Sequence, residues 1–141
     1  MKEKQLEIKI HEYLREHGYL VFKNHGSLYS GDGRPDLEAL KNQQLYGLEL
    51  KAGTGHKLSL IQLWTLLKLS QHGAKSAVIF PDLLNQPLSA IIKTFDIPVS
   101  AAQLKKKSPA EAGIDITKKL MQVAAEIDKA KQSCWITWKN N

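Results

Sequence analysis

Apolar residues recur at three- and four-residue spacing near the start of the chain. Leu6, Ile10, Tyr13 and Leu14 share one side of a helical wheel, which predicts an amphipathic helix over residues 2–17 closed by Gly18. Residues 19–23 (Tyr-Leu-Val-Phe-Lys) switch to a short β-rich run. Gly26, Gly31 and Gly33 stand among polar residues across 25–33 and predict a loop. Residues 36–41 read as a strand ending at a polar Lys-Asn-Gln-Gln turn. Residues 45–51 then alternate Leu48 and Leu50 against Glu49 and Lys51, the period of two that a half-buried strand needs. A second glycine loop over 52–57 precedes Ser59, the cap of a helix that runs to about His72 and ends at Gly73. Leu60, Leu63, Trp64 and Leu67 supply the core of that helix, and Leu66 and Leu69 make it apolar nearly all round. Burial on two sides follows, one on the sheet and the other on a second subunit or the C-terminal segment. Residues 76–80 form a compact apolar run, a buried strand stopped by Pro81.

Beyond Pro81 the periodicity weakens. Residues 88–95 are expected to form a short helix, 105–107 (three lysines) a polar linker, 109–131 a helix and 133–138 a terminal strand. Trp135 and Trp138 are an odd spacing apart and should face opposite sides of that strand, packed on the core. The order helix–strand–strand–strand–helix–strand describes an α/β fold with a mixed sheet flanked by helices. A core over 1–82 is thus followed by an α/β extension over 83–141, which packs on the core or forms a dimer interface.

Composition bounds this picture. With 141 residues and 43% apolar content the chain can bury a core without metal or disulfide staples, and it is too apolar to be disordered. No apolar run approaches the ~20 residues of a membrane span, and Met-Lys-Glu-Lys-Gln carries no signal-peptide core, so a cytoplasmic protein with no membrane partner is expected. Cys134, the only cysteine, excludes an intramolecular disulfide and any Cys-based zinc cluster. Twenty Lys+Arg against fourteen Asp+Glu leave a charge of +6, which favours an anionic partner, nucleic acid first. The charge is unevenly spread: residues 1–70 carry ten basic and eight acidic residues, and residues 71–141 carry ten and six.

The informative chemistry lies in Gly33-Arg34-Pro35-Asp36 and, thirteen residues after Asp36, Glu49-Leu50-Lys51. On a strand Glu49 and Lys51 point to one face, ~6.6 Å apart along the chain. A hairpin turn near residues 42–44 would set Asp36 beside Glu49, so that two carboxylates and an ammonium converge at one end of a sheet. Hard divalent cations want such oxygen ligands, and a cation held there can polarise a phosphodiester and acidify a bound water. Lys51 would orient or deprotonate that water, or stabilise the oxyanion. Alone, a Glu-X-Lys is an ordinary solvated strand face, and a Pro-Asp after glycines an ordinary turn.

Together and in this order, Pro35-Asp36 and Glu49-Leu50-Lys51 resemble the PD-(D/E)XK nuclease superfamily. The finer likeness is to its VRR-NUC branch, small phage and bacterial nuclease domains related to archaeal Holliday-junction resolvases. Gly33-Arg34-Pro35-Asp36-Leu37 is similar to that family's Gly-X-Pro-Asp block. Glu49, Lys51, Gly53, Lys57, Leu58, Ser59 and Gln62 are similar to its Glu-X-Lys, glycine loop, Lys-Leu-Ser and Gln series. The resemblance covers residues 3 to about 81 and implies a restriction-endonuclease-like αβββαβ core. It also implies a Mg²⁺ cofactor, with Mn²⁺ able to substitute, held by Asp36, Glu49 and the backbone carbonyl of Leu50. Gln62 matches a glutamine that orders the active site. A glutamate of the first helix joins the metal site in the family: Glu7, with the resolvase-like spacing, is assigned that role, and Glu3, one turn earlier, which fits other members, is the alternative. Lys23, His25 and Ser27 fall where relatives touch the DNA backbone, Arg34 and Lys57 are further phosphate contacts, and His56 is read as a surface histidine rather than a substrate contact.

The implied activity is metal-dependent DNA endonuclease cleavage leaving a 5′-phosphate, structure-selective for branched DNA such as a Holliday junction or flap. A homodimer with two active sites and no organic cofactor is expected. The alternatives are a catalytically silent DNA-binding or assembly module on the same fold, and a small restriction endonuclease. The short chain leaves little room for the recognition domain that the second of these requires.

Overall fold

The computed structural model describes residues 2–24, 33–53, 57–81, 87–88 and 93–140. Helix α1 (Glu3–Glu16) buries Leu6, Ile10 and Leu14, about one residue per turn. It closes at Gly18, whose φ of +84° turns the chain back. The Gly18 N–H donates to Arg15 O at 3.1 Å and the Tyr19 N–H to Leu14 O at 2.9 Å, which satisfies carbonyls that the last turn would otherwise leave open. Strands β1 (Leu20–Lys23), β2 (Leu37–Lys41) and β3 (Gln44–Leu50) form an antiparallel meander. Asn42 and Gln43 join the last two with φ of 51° and 65°, a left-handed pair whose twist matches that of the flanking strands.

Helix α2 (Leu60–Gln71) crosses over to β4 (Lys75–Ile79), which runs parallel to β3. Strand β5 (Lys93–Pro98), the short helices α3 (Ala101–Leu104) and α4 (Pro109–Ala112), helix α5 (Ile114–Lys129) and strand β6 (Cys134–Lys139) complete the described elements. Strand β6 lies antiparallel to β4, and β5 lies parallel to β6, so residues of the extension add two strands to the same sheet. The result is an α/β fold whose six-stranded mixed sheet, in the order β1-β2-β3-β4-β6-β5, carries helices on both faces.

Each face has its own core. Helix α1 packs over Leu37, Ala39, Leu48, Leu50, Ala77, Ile79 and Trp135. Helices α2 and α5 cover Val78, Phe80, Phe95, Ile97 and Ile136. Leu63, Trp64, Leu66 and Leu67 of α2 share that cluster with Ile116, Leu120, Ala124 and Ile127 of α5. The two-sided apolar character of α2 is therefore met within the chain, by the sheet and the C-terminal segment. Trp135 and Trp138 do face opposite sides, Trp135 toward α1 and Trp138 toward α2 and α5.

Two expectations need correction. The helix expected over 88–95 is not found where residues 93–95 are described: they open β5, in which Phe95 and Ile97 are buried between exposed Thr94 and Asp96, a two-residue alternation completed by pairing with β6. The single helix expected over 109–131 is broken at Gly113, whose φ of +122° is non-helical, into α4 and α5. The lysine run 105–107 does link α3 to α4, and Lys106 O accepts the Trp64 indole N–H at 3.2 Å. Among the described residues no helix is long and apolar enough to cross a membrane.

Candidate active site

Because Leu48 and Leu50 enter the α1 core, strand alternation sends Glu49 and Lys51 toward α2, and both are buried, 1% and 5% exposed. The β2–β3 register pairs Leu37 with Leu48, so the residue before β2, Asp36, comes opposite Glu49. Asp36 Oδ2 accepts the Leu50 N–H at 2.8 Å, which anchors the carboxylate at the end of β3. Gln62 arrives from the first turn of α2. Ser59 Oγ accepts the Gln62 N–H at 3.2 Å and Gln62 Oε1 accepts the Ser59 N–H at 2.9 Å, a reciprocal cap of the helix. With its oxygen so committed, Gln62 donates its amide Nε2 to Glu49 Oε1 at 3.0 Å. The start of α2 and the carboxyl cluster are thus one hydrogen-bonded unit.

Lys51 Nζ donates to the carbonyl of Lys57 at 3.2 Å and lies 3.5 Å from Gln62 Oε1. Gly33, at φ +64°, brings the segment leading into Asp36 against α2, where a Cβ would stand 2.7 Å from Ile61 O. Only glycine accommodates both the backbone angle and the approach.

The electrostatics of the cluster are unusual. Burial pushes the Glu49 carboxyl up to about 9, and the Asp36 charge and an Asp36–Glu49 hydrogen bond add to the effect; Lys51 opposes it and Glu3 reinforces it. A carboxyl–carboxyl hydrogen bond requires a proton between the two groups, so the pair holds one at neutral pH when no cation is present. Glu49 Oε2 is buried and receives no hydrogen bond from a donor among the described residues. Two adjacent carboxyls short of positive charge, with the Leu50 carbonyl beside them in sequence, suit a hard divalent cation, and Mg²⁺ commonly takes only one or two carboxylates and keeps its waters. Among the described residues no group of three or more His, Cys, Asp or Glu side chains is gathered for a metal.

The remaining candidates are distributed as follows. Of the two α1 carboxylates, Glu3 is the one whose charge acts on Glu49, whereas Glu7 is ion-paired with Lys23 at 3.0 Å. Arg34 donates to Glu38 Oε1 at 2.8 Å and keeps more than half of its side chain exposed. Lys57 is exposed and touches the cluster through its backbone. His25, Ser27 and His56 lie outside the described residues.

Two participants were not anticipated. Asn24 Nδ2 donates to Pro35 O and Glu38 Oε1, both at 2.8 Å, tying β1 to the Pro35-Asp36 segment. Asp128, from α5, accepts the Leu58 N–H. Its one sequence signal is helical spacing: position 128 follows Leu120 and Ala124 on the buried side, an apolar-face position occupied by a carboxylate.

Compared with known proteins, the chain matches no family model and no curated protein sequence.

Proposed function

We propose that the chain is a metal-dependent DNA endonuclease of the PD-(D/E)XK type, in the VRR-NUC and resolvase-like branch, with α1 through β4 as its core. The observation that carries the reading is the Asp36–Glu49 carboxyl pair, Glu49 buried and Asp36 half-buried, with Lys51 on the same strand face as Glu49 and Gln62 closing over it. The end of a purely structural strand pair has no use for two carboxyls pressed together, whereas a cation site does.

Asp36, Glu49 and the Leu50 carbonyl would hold Mg²⁺ or Mn²⁺. The cation supplies Lewis acidity toward a phosphodiester oxygen and neutralises charge gathering on phosphorus. Gln62 keeps Glu49 Oε1 in one orientation by its 3.0 Å hydrogen bond. Lys51, held by the Lys57 carbonyl, would bring an ammonium to the transition-state oxygens or orient the attacking water. Arg34 and Lys57, both exposed, and Lys23 would contact phosphates, which gives affinity without base readout.

The net charge of +6 supports a polyanionic substrate. Phosphate contacts of this kind read no base edges, which favours selection by DNA shape. A homodimer would set two sites on two strands, and Leu20 and Phe22 on the edge strand β1, 55% and 54% exposed beside Leu40, offer a surface for the second copy. The test is incubation of the purified protein with labelled four-way junction, flap, single-stranded and duplex DNA in Mg²⁺ or Mn²⁺. Cleavage of branched DNA that is lost in Asp36→Asn and Glu49→Gln is expected. Cleavage that survives both substitutions at the wild-type rate would overturn the mechanism, and discrete bands from plain duplex would revive the restriction-enzyme alternative.

A further inference from the structure

We infer that Asp128 is a positioning residue for Lys51, so that the C-terminal segment completes the active site proposed above. The peptide group between Lys57 and Leu58 is engaged at both ends. Its carbonyl accepts Lys51 Nζ at 3.2 Å. Its N–H donates to both carboxylate oxygens of Asp128, at 3.0 and 3.2 Å, across 70 residues of sequence. A peptide unit is planar and rigid, so a group that fixes the N–H also fixes the direction of the carbonyl. Asp128 therefore aims the acceptor that holds the ammonium. A carboxylate on the N–H also polarises the peptide and makes its carbonyl a stronger acceptor.

The burial pattern supports a specific role over a general anchor. Asp128 is 9% exposed on a helix whose other inward residues, Ile116, Leu120, Ala124 and Ile127, are apolar. Packing of α5 on α2 is already supplied by those four side chains. A buried carboxylate is an expensive way to add adhesion, and its hydrogen bonds here go to one peptide N–H. Apart from the 3.5 Å approach to Gln62, the Lys57 carbonyl is the only hydrogen-bond acceptor found for the Lys51 ammonium among the described residues.

The inference rests on the nuclease reading for its consequence and not for its geometry, so the test has two arms on the full chain. In the first, without DNA or metal, reductive methylation of lysines is followed by mass spectrometry, with exposed Lys4 and Lys118 as internal references. Asp128→Leu should raise the Lys51 labelling rate about ten-fold or more, while Asp128→Asn, which keeps the shape and one acceptor, should stay near wild type. Should Asp128→Leu fail to fold by circular dichroism, Asp128→Ala carries the same reading, because it only shortens a side chain that lines a groove of about 510 Å³. In the second arm, Asp128→Leu should lower kcat by about ten- to a hundred-fold with KM little changed. It should add no further loss in a Lys51→Ala background. Unchanged Lys51 labelling in a folded variant, or losses that multiply with Lys51→Ala, would overturn the inference. Raised labelling in a protein that cleaves no DNA would uphold the positioning and remove the nuclease reading.

Discussion

Replacing Glu49 by glutamine should stabilise the metal-free protein, and more so as the pH rises. In the folded chain the Glu49 carboxyl is pushed up to about 9 from an ordinary value of 4.5, by burial first and the Asp36 charge second. The folded state therefore keeps a proton that the unfolded chain releases. The stability linked to that proton is fully present below 4.5 and is lost as pH climbs toward 9. At ~1.4 kcal/mol per pH unit, the wild type forfeits about 3 kcal/mol between pH 4.5 and 7 through this one group. Glutamine does not titrate. Its carbonyl can keep the Gln62 hydrogen bond, and its amide can donate to Asp36 where the shared proton stood. The variant should match the wild type near pH 4.5 and exceed it by about 3 kcal/mol at pH 7, roughly 10 °C in Tm for a chain of this size.

The assay is urea or thermal denaturation of both proteins in chelator at pH 4.5, 6, 7 and 8. The difference between them isolates Glu49, because every other carboxyl titrates in both. Adding Mg²⁺ should then close the gap at pH 7 and reverse it at higher concentration, since a cation that binds only the folded wild type contributes about 2.7 kcal/mol at a hundred times its Kd and about 4.1 kcal/mol at a thousand times. A difference that does not change with pH, or a variant less stable than wild type at pH 8 in chelator, would refute the electrostatic reasoning.

Gln62→Ala removes the side-chain half of the α2 cap, the acceptor for the Ser59 N–H, together with the donor to Glu49; it should cost about 1 kcal/mol in urea denaturation and weaken Mn²⁺ binding about ten-fold or more by calorimetry. Gly33→Ala places a methyl 2.7 Å from Ile61 O at a φ of +64°, and a loss of about 1–3 kcal/mol is expected from the urea midpoint. Phe22→Glu puts a charge on the exposed β1 surface; it should convert the proposed dimer to monomer in light scattering, and a wild type that is already monomeric at high concentration would remove the dimer from the proposal.

The parts legible in the sequence are those set by local pattern. The spacing of Leu6, Ile10 and Leu14 and the glycine at 18 define α1 without help from the rest of the chain. The nearness of Asp36 to Glu49 was also legible, because a two-residue turn at Asn42 and Gln43 pairs Lys41 with Gln44, and counting back along both strands arrives at 36 and 49. Strand β5 was hidden because its few apolar residues fit either period, and what makes it a strand is its pairing with β6 some forty residues later. Gly113 sits inside an otherwise helical pattern, and one glycine there is tolerated as often as it breaks a helix. The grip of Asp128 on Leu58 and the ion pair of Lys23 with Glu7 are long-range contacts that no periodicity announces.

Lys51 offers the sharpest separation of holding a cation from performing chemistry. Its charge lowers the Glu49 carboxyl against the combined effects of burial, Asp36 and Glu3. Lys51→Met keeps much of the length and apolar stem and removes only the ammonium. In chelator the variant should lean further toward the protonated pair, since one source of compensation is gone. A divalent cation entering the same carboxyls no longer meets a neighbouring positive charge, so Mn²⁺ should bind about ten-fold more tightly, a gain of ~1.4 kcal/mol, modest for the removal of a like charge in a buried site. Cleavage should nevertheless fall by about a hundred-fold or more, as for other lost acid–base or oxyanion groups. Tighter cation binding with slower cleavage cannot arise from a damaged fold, which would weaken both. If Lys51→Met binds Mn²⁺ less tightly than wild type while remaining folded, the ammonium supports the carboxyl cluster rather than the reaction, and the role proposed for it fails.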